Sequence, residues 1–306
     1  MKTAPPFQIV GIGEVLWDLL PTAKRLGGAP ANFVCHAHAL SASARLISRV
    51  GDDPAGRDIL ASFRARGLPT ENIGVDAVAP TGSVSVEVDA RGHPRFTIHE
   101  NVAWDRLEAD AAALAAVRNA DAVCFGSLAQ RTKVVRATVA TLLAATRPDA
   151  LRIFDINLRP PFVDHEVIRQ SLAAANVLKL NEQELPVLAE LFQHSGDPAR
   201  QLAMLAERFS LRLIALTCGG EGSMLFANGE LMTQPGLPTT VRDTVGAGDS
   251  FTAAVAIGML RNWPLEEISQ HANAIAAYVC SQSGATPPLP EALRRPFIET
   301  SRPAAY

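Results

Sequence analysis

The chain has 306 residues, 48% of them hydrophobic, which is ample for one large α/β core and does not demand a second independent domain. Its 28 basic and 31 acidic side chains give a net charge of -3 with no Lys/Arg cluster, so no nucleic-acid surface is indicated and a small-molecule partner is the natural expectation. No apolar stretch approaches the roughly 20 uninterrupted residues that cross a bilayer, and Cys35, Cys124, Cys218 and Cys280, widely spaced in apolar contexts with no secretory leader, read as buried free thiols of a cytoplasmic protein.

Gln8 to Gly13 is a short β-rich run ending in glycines that permit a turn. Val15 to Leu20 continues extended, with Asp18 between apolar neighbours. A lone acid in such a run needs a partner, either a nearby basic side chain or donors on a ligand. Gly27-Gly28-Ala29-Pro30-Ala31-Asn32 opens a helix predicted to reach about Leu40. There Gly28 lets backbone approach a ligand, Pro30 suits a helix start, and Asn32 offers both a donor and an acceptor on the first turn. His36 and His38 are two apart and face different sides of that helix, which argues against a metal pair.

Ser43 to Val50 reads as a buried strand, and Gly51-Asp52-Asp53-Pro54 caps a helix predicted through Arg66. Thr81 to Asp89 alternates Val84, Val86 and Val88 with polar residues, turns at Arg91-Gly92 and returns as Pro94 to Glu100. This hairpin exposes one face to something other than the main core, and its apolar side predicts burial against a second copy, a homodimer.

From Leu107 to Ala227 helical and strand patterns alternate, with strands at Ala122 to Gly126, Leu151 to Ile156, Asn176 to Leu180 and Arg212 to Thr217. That order predicts a mostly parallel sheet with helices on both faces, whose ligands bind beyond the carboxyl ends of the strands. Polar clusters fall at those ends: Asp155-Ile156-Asn157-Leu158-Arg159, then Asn181-Glu182-Gln183-Glu184, then Thr217-Cys218-Gly219-Gly220-Glu221-Gly222. Strand ends and helix caps are polar in any case, so each cluster taken singly is equally a cap. Arg159 reads either as a holder of phosphate or substrate or as a solvated surface arginine.

Asp243-Thr244-Val245-Gly246-Ala247-Gly248-Asp249-Ser250-Phe251 leads straight into an apolar run. Two glycines flanking an alanine allow a tight turn, and the helix behind them presents free N–H groups, a ready anion site. Asp249 falls in the first turn, either as a plain cap or as the acceptor of a proton from an attacking hydroxyl, and at a helix N-terminus its pKa is expected to be low. Neither a P-loop nor a dinucleotide-binding glycine pattern is present.

This segment, together with Leu26-Gly27-Gly28-Ala29-Pro30-Ala31-Asn32, resembles the paired signatures of the ribokinase-like (PfkB) family of carbohydrate kinases, over nearly the whole chain. The resemblance implies an α/β, ribokinase-like three-layer fold as a single domain, with a small β-lid formed near residues 15–27 and 81–100. It implies ATP-dependent phosphorylation of a sugar hydroxymethyl group, with Asp249 as base and Gly246, Ala247 and Gly248 as the anion hole. Asp18, Gly28, Asn32 and Arg159 would meet the sugar. Asn181, Glu184, Thr217, Gly219, Gly222 and Asn273 would meet the nucleotide, Glu184 organising Mg2+ through water. Family members also bind a monovalent cation such as K+, here through Asp243 and carbonyls near Val279, Gln282 and Gly284, although Pro288 stands where some supply a hydroxyl. Within the family the chain looks most like a fructokinase. Ribokinase, 2-keto-3-deoxygluconate kinase and a sugar-binding protein without catalysis are the alternatives.

Overall fold

The structure, a computed structural model, describes residues 5–20, 23–88 and 94–299. β1 (Gln8–Ile12) is buried along nearly its whole length, and its alternate residues serve two cores: Ile9 belongs to one apolar cluster and Val10 to the other. β2 (Leu16–Leu20), β3 (Ala23–Gly27), α1 (Ala29–Ala39), β4 (Ser43–Gly51) and α2 (Pro54–Ala65) follow. α2 begins where the sequence predicts, because Asp53 accepts a hydrogen bond from the Gly56 N–H at 2.7 Å and Pro54 takes the first helical position. Then come β5 (Ile73–Asp76), which the sequence reading lacks, and the hairpin strands β6 (Ser83–Val88) and β7 (Pro94–Ile98). The expected turn at Arg91-Gly92 lies outside the described residues.

The alternating half runs α3 (Ala111–Arg118), β8 (Ala122–Gly126), α4 (Lys133–Ala144), β9 (Leu151–Asp155), α5 (His165–Ala174) and β10 (Val177–Asn181). It continues with α6 (Leu185–Phe192), α7 (Pro198–Phe209), β11 (Leu213–Thr217), β12 (Gly222–Ala227) and β13 (Glu230–Pro235), and closes with α8 (Ala247–Leu260), α9 (Leu265–Cys280) and α10 (Glu291–Ile298).

The main sheet has the order β13-β12-β11-β10-β9-β8-β1-β4-β5. Pairing is parallel from β5 to β11, and only the edge strands β12 and β13 run antiparallel. One face is covered by α1, α8 and α9 around Phe33, Phe251 and Ile275, the other by α4 to α7 around Phe125, Leu142 and Leu188. The predicted three-layer α/β fold is therefore what forms. α8 is buried from Ser250 to Gly258, and its small residues let α1 and α9 pack closely on either side.

A second sheet, β3-β2-β6-β7, stands apart as the expected lid. Trp17 donates from its ring nitrogen to the Ala55 carbonyl at 3.0 Å, and Lys24 pairs with Asp58, so β2 and β3 are anchored on α2. Among the described side chains of the hairpin, Val84 and Ile98 line the cleft of their own chain.

Candidate active site

Between lid and sheet lies a cleft of about 1140 Å³, into which the carboxyl ends of β10 and β11 and the start of α8 open. α8 begins at Gly246, whose φ of 81° is left-handed and where a Cβ would sit 2.1 Å from the Ala285 carbonyl oxygen. Both facts require glycine. The Ala285 carbonyl is itself held, 2.9 Å from Nε2 of the buried His36. A carbonyl can only accept, so Nε2 carries the proton. Burial pushes the His36 pKa down to about 4, keeping the ring neutral. The histidine thus buttresses the turn from behind rather than holding a metal.

Asp249, half-buried at the first turn of α8, accepts a hydrogen bond at Oδ2 from Nδ2 of Asn32 at 2.8 Å. Its pKa is not low as expected. Burial and the neighbouring Asp155 charge raise it to about 6, against the Asn32 bond and the cations Lys179 and Arg159. Loss of water and a second acid outweigh what a helix terminus offers.

Under this turn lies a buried group that the sequence reading overlooked. Lys179 on β10 points its ammonium to within 2.9 Å of where a Cβ on Gly248 would be, and 3.1 Å from Asp155 Oδ1. Asp155 also accepts from Thr252 of α8 at 3.2 Å. Burial opposes the lysine's charge, but Asp155, Glu184 and Asp249 around it overcome that and hold its pKa above the ordinary value. A fixed cation therefore stands against the Gly246-Ala247-Gly248 turn. In the sequence Lys179 passed as one residue of an apolar strand.

Asn181 and Glu184 are brought together as read. Asn181 Oδ1 accepts from the Glu184 N–H at 3.0 Å, and Glu184 Oε2 from the Asn181 N–H at 2.8 Å. Glu184 Oε1 also accepts from the Leu158 N–H at 2.7 Å, so the carboxylate bonds to two backbone amides and, by burial, has a raised pKa. Among the described residues no cluster of three or more His, Cys, Asp or Glu could cage a metal. Asn181 lines the cleft, whereas Glu184, 4% exposed with both carboxylate oxygens held by backbone amides, lies behind that wall and does not line it.

The end of the cleft beneath the lid is lined by Glu14, Asp18, Gly28, Asn32 and Arg159. Asp18 makes no ion pair among the described residues, and burial raises its pKa to about 6 despite Arg159, with Asp243 adding to the rise and Arg25 opposing it. Arg159 is exposed, its guanidinium donating to the Leu158 carbonyl at 2.9 Å. Glu14 had no assigned role, yet it is 2% exposed and burial lifts its carboxyl to about 7. At the other end Thr217, Gly219 and Gly222 face the cleft together with Ala276 and Ala277. Asn273 also lines it, but its amide nitrogen already donates to Ser223 Oγ at 2.7 Å and the Ser269 carbonyl at 2.8 Å, tying α9 to β12.

Asp243, expected to take part in a cation site, is engaged within the chain. Its Oδ2 accepts from Arg25 at 2.5 Å and from the Gly284 N–H at 3.0 Å, and its Oδ1 from the Val245 N–H at 3.1 Å. Arg25, on the lid strand β3, reaches Ser283 as well, at 2.9 Å. A guanidinium and two amides thus surround this carboxylate. Of the four free thiols, Cys35 and Cys124 are buried as expected, whereas Cys218 and Cys280 are partly exposed.

Fold and cleft together are those of an α/β enzyme acting on a small molecule under a lid. The chain belongs to the pfkB family of carbohydrate kinases, whose sequence profile matches residues 21–292. It is 31% identical over 260 residues to a fructokinase of Klebsiella pneumoniae, covering 81% of this chain and 83% of that one. An uncharacterized sugar kinase from Pyrococcus horikoshii, solved in complex with ATP, superposes with a TM-score of 0.76 at 27% identity, covering 91% of this chain and 94% of the other. A fructokinase double mutant from Vibrio cholerae, solved in fructose, ADP and potassium ion bound form, shares the fold with a TM-score of 0.81 at 22% identity over 97% of this chain and 100% of its own.

Proposed function

We propose that the protein transfers the γ-phosphoryl group of ATP to the hydroxymethyl group of a neutral sugar, D-fructose first, giving D-fructose 6-phosphate and ADP. The observation that carries this reading is Asp249, oriented by Asn32 at the α8 N-terminus and facing the same cleft as the acids under the lid. Phosphoryl transfer asks a protein mainly to position reactants and offset charge. The N–H groups of Gly246, Ala247 and Gly248 would hold the phosphoryl oxygens, and Lys179 supplies positive charge from below. The sugar oxygen attacks phosphorus in line as the bond to the ADP oxygen breaks, and Asp249 takes the hydroxyl proton. Mg2+, when bound, neutralises phosphate charge. The lid excludes water, a competing acceptor.

Among the described residues the lid end carries the carboxyls of Glu14 and Asp18 against the exposed Arg159 and an Arg25 already paired with Asp243, which favours a neutral polyol over 2-keto-3-deoxygluconate or a phosphosugar. A cytoplasmic homodimer through the outer lid, where Leu19 is 40% exposed, belongs to the same proposal, and light scattering at the mass of one chain would remove it. The test of function is ADP release with fructose, ribose and 2-keto-3-deoxygluconate. Fructose should give the highest kcat/KM, and release no faster with any sugar than without one would overturn the reading.

A further inference from the structure

Glu14 sits just after β1, where the chain turns towards the lid. Oε1 is committed, accepting from the backbone N–H of Ala29, the first residue of α1, at 3.2 Å. Oε2 is buried and has no partner in the protein. The residue has little freedom to retreat, because Gly28 lies so close above it that a Cβ there would be 2.5 Å from the Glu14 carbonyl oxygen. A second orphan lies near it: Asn32 donates to Asp249, while its Oδ1 is buried without a partner. Both residues line the lid end of the cleft, beside Asp18 and Asp249.

Buried acceptors without donors are rare and costly, and they persist where a ligand supplies the missing hydrogens. Two of them in one wall, flanking the acid that faces the anion-binding turn, describe a surface for a molecule rich in O–H groups. Resting on the carbohydrate-kinase reading above, we propose that Glu14 is a further substrate-binding and specificity-determining residue. Its free Oε2, alongside Oδ1 of Asn32, accepts hydrogen bonds from hydroxyls of the acceptor sugar. A carboxylate on the substrate brings no hydrogen to these oxygens and adds a like charge to the Glu14 and Asp18 pair. Hydroxyl count and neutrality are thus read by the same side chain.

The test is calorimetric titration of the full chain, without nucleotide, with D-fructose, its mono-deoxy derivatives, D-ribose and 2-keto-3-deoxygluconate, for wild type and Glu14→Gln. Glutamine keeps the acceptor facing Ala29 and replaces the free oxygen by a donor. We expect the Kd for fructose to rise about ten- to a hundredfold in the variant, while the Kd of a non-hydrolysable ATP analogue stays put. Removing one particular hydroxyl should weaken wild type about tenfold and the variant less than about twofold. The preference for fructose over 2-keto-3-deoxygluconate should shrink at least about tenfold.

Penalties that multiply independently at every hydroxyl overturn the proposal, as does equal weakening of sugar and nucleotide, which marks a structural tie to Ala29. Failure of either neutral sugar to bind wild type overturns it too. If Glu14→Gln lowers the Tm by more than about 5 °C, Glu14→Met, an apolar side chain of similar length, takes its place in the same titrations. Binding is read here without turnover. A wild type that binds sugars through Glu14 but releases no ADP would therefore refute the kinase reading and leave this one standing.

Discussion

Asn32 on α1 and Asp249 on α8, 217 residues apart in the chain, are joined by one hydrogen bond of 2.8 Å from amide to carboxylate. The bond turns one carboxylate oxygen towards α1 and restrains the other at the α8 turn. Asp249→Asn keeps the shape and can still accept from Asn32, so what it removes is the charge and the proton acceptor. A general base contributes about 10²–10⁴-fold, and kcat should fall by that order while nucleotide binding is unchanged or slightly tighter. The decisive pair of measurements is kcat with nucleotide Kd. A loss of less than about fivefold would make Asp249 a cap.

Asp18 lines the lid end of the cleft without an ion-pair partner among the described residues. Asp18→Asn should cost about 1.5–3 kcal/mol of substrate interaction, roughly tenfold to a few hundredfold in kcat/KM for the sugar, with ATP affinity almost unmoved. Steady-state kinetics with each substrate varied in turn separates this from a structural role, which would weaken both.

Activity and stability should move in opposite directions with pH. Only ionised Asp249 can take a proton, so with its pKa near 6 the sugar kcat/KM should decline as the pH falls through that value. A carboxyl whose folded pKa is raised binds more protons folded than unfolded, and the fold is favoured as pH drops through that window. For Glu14 the window runs from about 7 down to its ordinary value of 4.5. His36 acts oppositely, since its folded pKa of about 4 lies below the ordinary 6.5, but only once the unfolded chain starts to protonate it. The Tm of wild type should therefore rise between about pH 8 and about pH 7, where unfolded histidines are still mostly neutral, and the rise should be smaller in Glu14→Gln. An equal rise in the variant would contradict this.

Arg25 already neutralises Asp243, so exchanging K+ for Na+ at constant ionic strength should change wild-type kcat less than about twofold. Arg25→Ala leaves the carboxylate without its cation and should lower kcat, with partial recovery in K+. The kcat of both proteins across a monovalent-cation series reads this directly. Strong K+ activation of wild type would show that the cation displaces the guanidinium.

What could be read in advance was whatever is contiguous. Gly246, Gly248 and Asp249 advertise a helix-start turn within four consecutive positions, and the strand-helix alternation from residue 107 fixes the layer order. Contacts between distant segments were not legible: Glu14 with Ala29, Lys179 against Gly248, and Arg25 on Asp243 each depend on how strands and loops are set side by side. Lys179 in particular sits in the run Val177–Asn181, where its neighbours are apolar and nothing local reports the acids that surround it. The raised pKa of Asp249 was hidden for the same reason, because its causes are burial in the fold and then Asp155, which comes from β9. The hairpin's apolar face was visible, but what it faces is a matter of tertiary placement.

Asn32 and His36 are one helical turn apart, on the same side of α1. The first steadies the Asp249 carboxylate and the second the Ala285 carbonyl on which Gly246 rests. One helix thus sets the spacing between the acid and the Gly246 turn, and its opening residues are those that line the lid end of the cleft. If ligands occupy both ends, any coupling through this helix must be symmetrical: whatever the first ligand gains for the second, the second returns to the first. Sugar and nucleotide should accordingly show the same interaction factor whichever is added first, and a product left at one end should slow departure from the other.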